Sequence, residues 1–362
     1  MALCRARHMF PGGNTCKGFF SYYDYIMPQE NAVRIIILKG GPGVGKSSFM
    51  RHIAEHMLSM GFDVEFMHCS SDPDSLDGVV IPEKKTALMD GTAPHVVDPK
   101  NPGAVDEIIN LGDFWNKKGF SQTKDKILFT NNEIKKTFKR AYKYIQAAYS
   151  IYEDNMTIYN SFMDHGKANL LISGIIDKIF GNIGVSDSEG KKRHLFASAI
   201  TPKGMVNYLP SLITTKEVYI VKGKPGTGTE RLLERVRLAA SERGFYTESF
   251  YCGLNPYKLE HLIIPDMDIS FTTSNTYHQS DVDSTEIIDF DLYLNKNILF
   301  RYTDIINFND NEIENLLNMA VQTINRAKIY HDELESYYIP NMNFSEVTKC
   351  RDETLARLLQ VS

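Results

Sequence analysis

Residues 40–48 read Gly40-Gly41-Pro42-Gly43-Val44-Gly45-Lys46-Ser47-Ser48, a glycine-rich turn closed by a lysine and two hydroxyls. Glycine lets the backbone curl so that successive N–H groups converge on one anion, and a helix starting there aims its positive dipole end at the same point. Lys46 adds a point charge suited to the β- and γ-phosphates of a nucleoside triphosphate, and the Ser47 hydroxyl is suited to ligate Mg2+. The pattern GxxxxGK[ST] carries this meaning only between a strand and a helix, and an apolar RIIILK run before it and a helical stretch after it meet that condition. The run TALMD ends in Asp90, a carboxylate that would hold a magnesium-bound water beside Ser47. The expected phosphate contacts are therefore residues 40–48, the expected metal ligands Ser47 and Asp90, and the expected catalytic groups Lys46 and Asp90. Asp72 and Asp74, read as lying in a loop after the second strand, are candidate bases on the acceptor side.

The elements that must position these residues are written twice. Sliding the chain along itself pairs Lys39/Lys222, Gly40/Gly223, Pro42/Pro225, Gly43/Gly226, Gly45/Gly228, Glu65/Glu248, Cys69/Cys252 and His95/His278. Near the N-terminus Arg7, His8, Phe10 and Lys17 fall on Arg193, His194, Phe196 and Lys203; further on, Glu107-Ile108-Ile109 meets Glu286-Ile287-Ile288 and Asn132-Glu133-Ile134 meets Asn311-Glu312-Ile313. The join falls in GNIGVSDSEGKK, residues 181–192, where Gly, Ser and charge interrupt the apolar periodicity. The expectation is two domains, 1–180 and 193–362, around a linker at 181–192. Within each, a β-rich run (RIIILK, EVYIVK) leads into a glycine loop, a helix and a second strand (VEFMHC, TESFYC). Such alternation predicts an α/β fold, with a mainly parallel sheet flanked by helices in each copy. Long helices are expected over 132–162 and 311–338, with Tyr142, Tyr144, Tyr149, Tyr152 and Tyr159 at helical spacing as core or interface residues.

In the second copy Lys46 becomes Thr229, Ser47 becomes Glu230 and Asp90 becomes Thr273, while Gly223, Gly226 and Gly228 remain. An acid at a helix start repels phosphate, so this loop reads as a site without chemistry, with Lys224 within it as a candidate extra loop lysine.

Lys+Arg 40 against Asp+Glu 45 gives a net charge of −5, no global field for a nucleic-acid backbone, and the 43% hydrophobic and 23% charged fractions are those of a globular protein. No apolar run approaches the roughly 20 residues of a membrane span, and the first ten residues lack a secretory apolar core. Five scattered cysteines without a CxxC suit a reduced, cytoplasmic protein, with Cys69 and Cys252 as packing residues. His52-Ile53-Ala54-Glu55-His56 matches HxxEH but sits on the helix after the glycine loop, without a third ligand.

The GGPGVGKS loop together with LMDGTAP resembles the P-loop nucleotide kinases, and the chain as a whole resembles a bacterial family of tandem P-loop ATPase or nucleotide-kinase-like proteins. The resemblance implies a P-loop NTPase fold in each copy, ATP and Mg2+ as cofactors, and a small molecule, a protein or water as phosphoryl acceptor. It leaves ATP hydrolysis, kinase activity and nucleotide sensing as readings of the first domain, with the second structural or regulatory and an oligomer allowed. Two departures bear on the choice. Gly91 follows Asp90 where a hydrolytic ATPase usually carries a water-polarising glutamate, and the stretch matching the kinase lid offers lysines, including Lys124 and Lys126, with the single arginine Arg140.

Overall fold

Two six-stranded sheets, each mostly parallel and flanked by helices, make up the computed structural model, which describes residues 4–92, 96–275 and 282–360. The first repeat contributes β1 (Ala6–Met9), a hairpin of β2 (Gly12–Thr15) and β3 (Gly18–Ser21), β4 (Arg34–Lys39), α1 (Lys46–Ser59), β5 (Val64–Cys69), β6 (Asp72–Ile81), β7 (Thr86–Asp90), β8 (Asp106–Asn110), α2 (Lys124–Ser161) and α3 (His165–Phe180). The second contributes β9 (Lys192–Phe196), the hairpin of β10 (Ser198–Thr201) and β11 (Gly204–Asn207), α4 (Leu209–Leu212), β12 (Glu217–Lys222), α5 (Thr229–Ser241) and β13 (Thr247–Tyr251). It continues with β14 (Leu259–Ile264), β15 (Ile269–Ser274), β16 (Glu286–Asp289), α6 (Lys296–Leu299), α7 (Thr303–Tyr338) and α8 (Phe344–Gln360).

The strand orders, β1-β5-β6-β7-β4-β8 and β9-β13-β14-β15-β12-β16, are the same path traced twice. β4 is a run of isoleucines and a leucine buried on both faces, so it takes an interior place between β7 and β8, parallel to both. The expected parallel sheet is interrupted at β6 and β14, which run antiparallel to their neighbours. The reason is chain length: only Ser70 and Ser71 separate β5 from β6, enough for a hairpin and far short of a crossover.

The two repeats exchange their terminal helices. At 38 residues α2 rises about 1.5 Å per residue, roughly 57 Å in all, and carries the chain from the first sheet to the second. There α3 buries Ala168, Ile172, Ile175 and Phe180 against Leu232, Leu233 and Val236 of α5. In return α7 runs back antiparallel to α2, and α8 sets Val347, Leu355 and Leu358 against Phe49, Met50 and Ile53 of α1. The boundary at 181–192 thus separates the sequence repeats but not the packed lobes, each of which is completed by a helix from the other repeat. Ala141, Ile145 and Tyr152 of α2 pack with Ile313, Ala320 and Ile324 of α7, the small residues allowing close approach. Buried Asn155 and Asn309 bond each other at 2.9 Å and reach Asp310 and Asp154, both at 2.8 Å, which pins the register of the pair. Among the described residues no helix is long and apolar enough to cross a membrane.

A pseudo-twofold axis relates the lobes and accounts for several of the repeated residues. Phe10 and Phe196, equivalents in the two copies, exchange backbone N–H···O bonds of 2.9 and 3.0 Å across it. Parallel pairing sets Arg7 opposite Glu65 and Arg193 opposite Glu248, and the two pairs then cross-link. Arg7 bonds Glu65 at 2.7 Å and also Glu248, while Arg193 bonds Glu65 at 2.6 Å and approaches Glu248 at 3.5 Å. His194 stacks on Tyr25 of the other repeat, ring centroids 4.5 Å apart, and His8 lies against Tyr208 at 5.6 Å. Arg7, Glu65 and His8 with their counterparts therefore serve the junction between lobes.

Candidate functional site

The glycine loop curls at its glycines and runs directly into a helix. Gly43 (φ 69°) and Gly45 (φ 93°) adopt left-handed backbone that a side chain would strain, and α1 begins immediately afterwards at Lys46. No side chain caps the start of α1 and no acid lies in its first turn, while Glu335 of α7 packs over Gly43, its Cβ 3.2 Å from where a Gly43 Cβ would lie. Lys46 is largely buried, and its ammonium donates to the carbonyls of Gly40 and Gly41, both at 2.9 Å, and lies 3.6 Å from the Asp90 carboxylate. Asp90 is brought there because β7 pairs with β4 in parallel, setting Leu38 beside Asp90. Its other oxygen accepts the Thr92 N–H at 2.8 Å, and the Thr92 hydroxyl donates to the Gly40 carbonyl at 2.9 Å. Ser47 Oγ accepts the Leu76 N–H at 3.0 Å, which fastens the loop to β6, and Ser48 stands exposed. The Ser47 hydroxyl and the Asp90 carboxylate are hard oxygen donors that fit Mg2+, and the Lys46 ammonium with the N–H groups at the start of α1 fits an anion such as a triphosphate.

The second loop keeps the backbone and replaces the chemistry. Gly226 (φ 79°) and Gly228 (φ 108°) repeat the curl, but Glu230 stands in the first turn of α5. Lys224 gives its backbone N–H to Asp291 at 2.7 Å and its carbonyl to the Thr227 hydroxyl at 2.8 Å, so it is a structural part of the turn. Behind the loop Lys258 and Glu260 form a fully buried ion pair of 2.7 Å; Lys258 also donates to Tyr152 Oη at 3.1 Å, and Thr273, at the position of Asp90, donates to Glu260. This buried network, which takes Tyr152 from the first repeat, neutralises its own charges. Sequence reasoning missed it, although a Lys-x-Glu pair bracketing the start of an otherwise apolar strand, where the first copy has Ser75 and Asp77, was a visible signal. Burial raises the Glu230 carboxyl above its usual range, and the nearby Lys258 offsets that only in part.

Other candidates resolve differently. Asp72 and Asp74 lie within β6 rather than in a loop, and each is ion-paired to the second repeat, Asp72 to Lys328 at 3.4 Å and Asp74 to Lys203 at 2.5 Å. They tie the repeats together. Lys124, Lys126 and Arg140 stand exposed on α2, which packs against α7 instead of forming a separate lid. Burial pushes the thiol of Cys69 well up and that of Cys252 up to about 12, as befits packing residues. His52, Glu55 and His56 do not converge; among the described residues His331, Asp332 and Glu335 of α7 are the group that brings three such ligand atoms within 4.8 Å of one another. His95 and His278 lie outside the described residues. A cavity of about 1270 Å3 opens at the junction between the lobes, lined by Arg5, Arg7, Lys192 and Glu248 among others, and shares no residue with the glycine loop.

The loop is roofed by the other repeat. A Cβ at Gly41 would lie 2.7 Å from the Tyr338 ring, and one at Gly43 would lie 3.0 Å from Ile339. The roof belongs to α7 and the turn after it, so the helix exchange makes the surroundings of the first loop a joint product of both copies. No family model, curated protein or solved structure gave a significant match to this chain.

Proposed function

We propose that the first lobe binds Mg-ATP and transfers its γ-phosphoryl group, with the second lobe structural or regulatory. The observation that carries this reading is the uncapped start of α1 beneath a left-handed glycine turn, with Lys46 lying between that turn and Asp90. Lys46 would leave the Gly40 and Gly41 carbonyls for the β- and γ-phosphates, Ser47 and Asp90 would hold the metal shell, and backbone N–H groups of residues 43–48 would take the remaining phosphate oxygens. Bound Mg2+ supplies Lewis-acid neutralisation of the phosphate charge.

Water is the generic acceptor. Transfer to a metabolite or nucleotide is the second reading, and one observation favours it: a Cβ at Gly91 would lie 2.4 Å from Ile37, so a water-polarising glutamate beside Asp90 is excluded by packing. Purified protein supplied with Mg-ATP and a panel of nucleosides, nucleotides and metabolites, with phosphate and ADP both followed, separates the cases. ADP in excess of phosphate identifies a kinase and equal amounts a hydrolase. Absence of both, with nucleotide still bound, leaves only a sensor and refutes phosphoryl transfer.

Two expected results follow from the metal and loop assignments. Ser47→Ala and Asp90→Asn should each raise the Mg2+ concentration for half-maximal activity by roughly tenfold or more, nucleotide affinity changing less. A magnesium titration unaltered by both removes Asp90 from the site. Calorimetry should find one Mg-ATP per chain, because Glu230 and the buried Lys258–Glu260 pair occupy the second loop's surroundings. A second tight site that survives Lys46→Ala would overturn that assignment.

A further inference from the structure

We propose that Trp115, Phe120 and Tyr338 form the platform on which the nucleotide's base stacks, so that the binding site is shared between the two repeats. This rests on the phosphate-binding reading of the glycine loop and names what holds the rest of the ligand.

The three rings adjoin the loop. Tyr338 covers Gly41, and a Cβ at Gly112 would lie 3.0 Å from the Trp115 ring, while Gly112 itself neighbours Gly40. Ring centroids are 5.6 Å apart for Trp115–Phe120, 6.1 Å for Trp115–Tyr338 and 5.0 Å for Phe120–Tyr338, all tilted or edge-on, and each ring is half-buried with part of its surface in solvent. Trp115 is anchored on the core of the first lobe, and the solvent-facing part of the cluster is where a further planar group would have to stack.

The frame beneath them is rigid. The Asn116 N–H donates to the Asn341 carbonyl at 2.7 Å and the Asn343 N–H to the Phe114 carbonyl at 2.9 Å, joining the turn after β8 to the turn after α7.

The second copy provides the internal control. There the Asn295 N–H donates to the Phe162 carbonyl and the Asp164 N–H to the Tyr293 carbonyl, both at 2.9 Å, and Met163 bridges Leu294 as Met342 bridges Trp115. The frame is therefore the same, and it aligns Trp115 with Leu294, Phe120 with Leu299 and Tyr338 with the buried Tyr159. Leucine fills space as a ring does but has no π face. Two of the three rings are lost in the copy that has also lost Lys46, Ser47 and Asp90. The second copy's frame carries a different tilted pair, Phe162 and Tyr302 with centroids 5.1 Å apart, where the first copy has Asn341 and Thr123, so of the three rings over the first loop only Tyr338 has a ring at its equivalent position.

The chain contains one tryptophan, Trp115, so fluorescence excited selectively at the indole reports on this cluster. The wild-type protein, Trp115→Leu and Phe120→Leu should be titrated with Mg-ATP and with magnesium tripolyphosphate, which offers the phosphates without a base, and each variant checked by circular dichroism and urea unfolding. The wild-type protein should bind ATP roughly five- to a hundred-fold more tightly than tripolyphosphate, the usual range for base–aromatic stacking. ATP should quench Trp115 and tripolyphosphate should not. Both leucine variants should lower ATP affinity toward that of tripolyphosphate and leave the latter unchanged. Equal weakening of both ligands, or ATP affinity unaltered in both variants, overturns the platform. If the wild-type protein binds neither ligand, the phosphate-binding reading itself fails and the platform falls with it.

Discussion

Lys46→Ala is expected to abolish nucleotide-dependent activity, lowering turnover by roughly a hundred- to a thousand-fold, the range seen when one preorganised charge-stabilising donor is removed. The structure narrows the reason. Lys46 is held by the carbonyls of Gly40 and Gly41 and lies 3.6 Å from Asp90, so its stem is already directed into the loop. The local alternatives are spoken for: Lys39 donates to the Gly91 and Val97 carbonyls and to Asp98 at 2.7 to 2.9 Å, leaving it no reach to the phosphates. Lys46→Arg should fail as well, because a planar fork does not reproduce a compact point charge inside a closed turn. Phosphate release and calorimetry on the folded variants check both points. Activity within a few-fold of wild type in Lys46→Ala would sink the assignment of the loop.

The second large effect concerns the junction between lobes. Glu65→Ala should destabilise the chain by about 3 to 5 kcal/mol, because removing one member of a buried ionic cluster leaves its partners charged and unsolvated. Here Arg7 and Arg193, each bonded to Glu65 from a different repeat, would be left with the single carboxylate of Glu248 to share. The loss should appear as a lower urea midpoint. Glu65→Gln, which keeps the shape and one acceptor, should lose less.

The same cluster gives a pH dependence with a definite sign. Burial alone would raise the Glu65 carboxyl, but Arg193 and Arg7 outweigh it and hold it well below the usual carboxylate range. A depressed folded value means stability that is fully present above the unfolded value near 4.5 and lost as pH falls below it. Wild-type stability should therefore decline with acidification through that range, with a smaller decline in Glu65→Gln. Equal slopes in the two proteins would show that Glu65 is not the group responsible.

The linear order of residues determined a good deal by itself. Glycine, lysine and serine at fixed spacing between an apolar strand and a helix define the loop, since backbone curl, dipole and charge are all local properties. Duplication, the loss of Lys46, Ser47 and Asp90 equivalents in the second copy, and the α/β alternation were legible for the same reason. Tertiary structure decided the matters that depend on which of two similar surfaces an element meets. The apolar stripe of α3 would fit its own sheet or the other, and the length of α2 delivers it to the second lobe. Arg7, Glu65, Arg193 and Glu248 were visible as repeated residues, but the crossing of their pairs depends on a pseudo-twofold axis that no linear pattern encodes. Asp72 and Asp74 looked available in sequence and are engaged in space, because a lysine far along the chain reaches each of them. Trp115 and Tyr338 are more than two hundred residues apart and meet only because α7 returns antiparallel along α2 to roof the first loop. Local geometry carried by neighbouring residues was readable from order alone, whereas contacts assembled by helix exchange needed the fold.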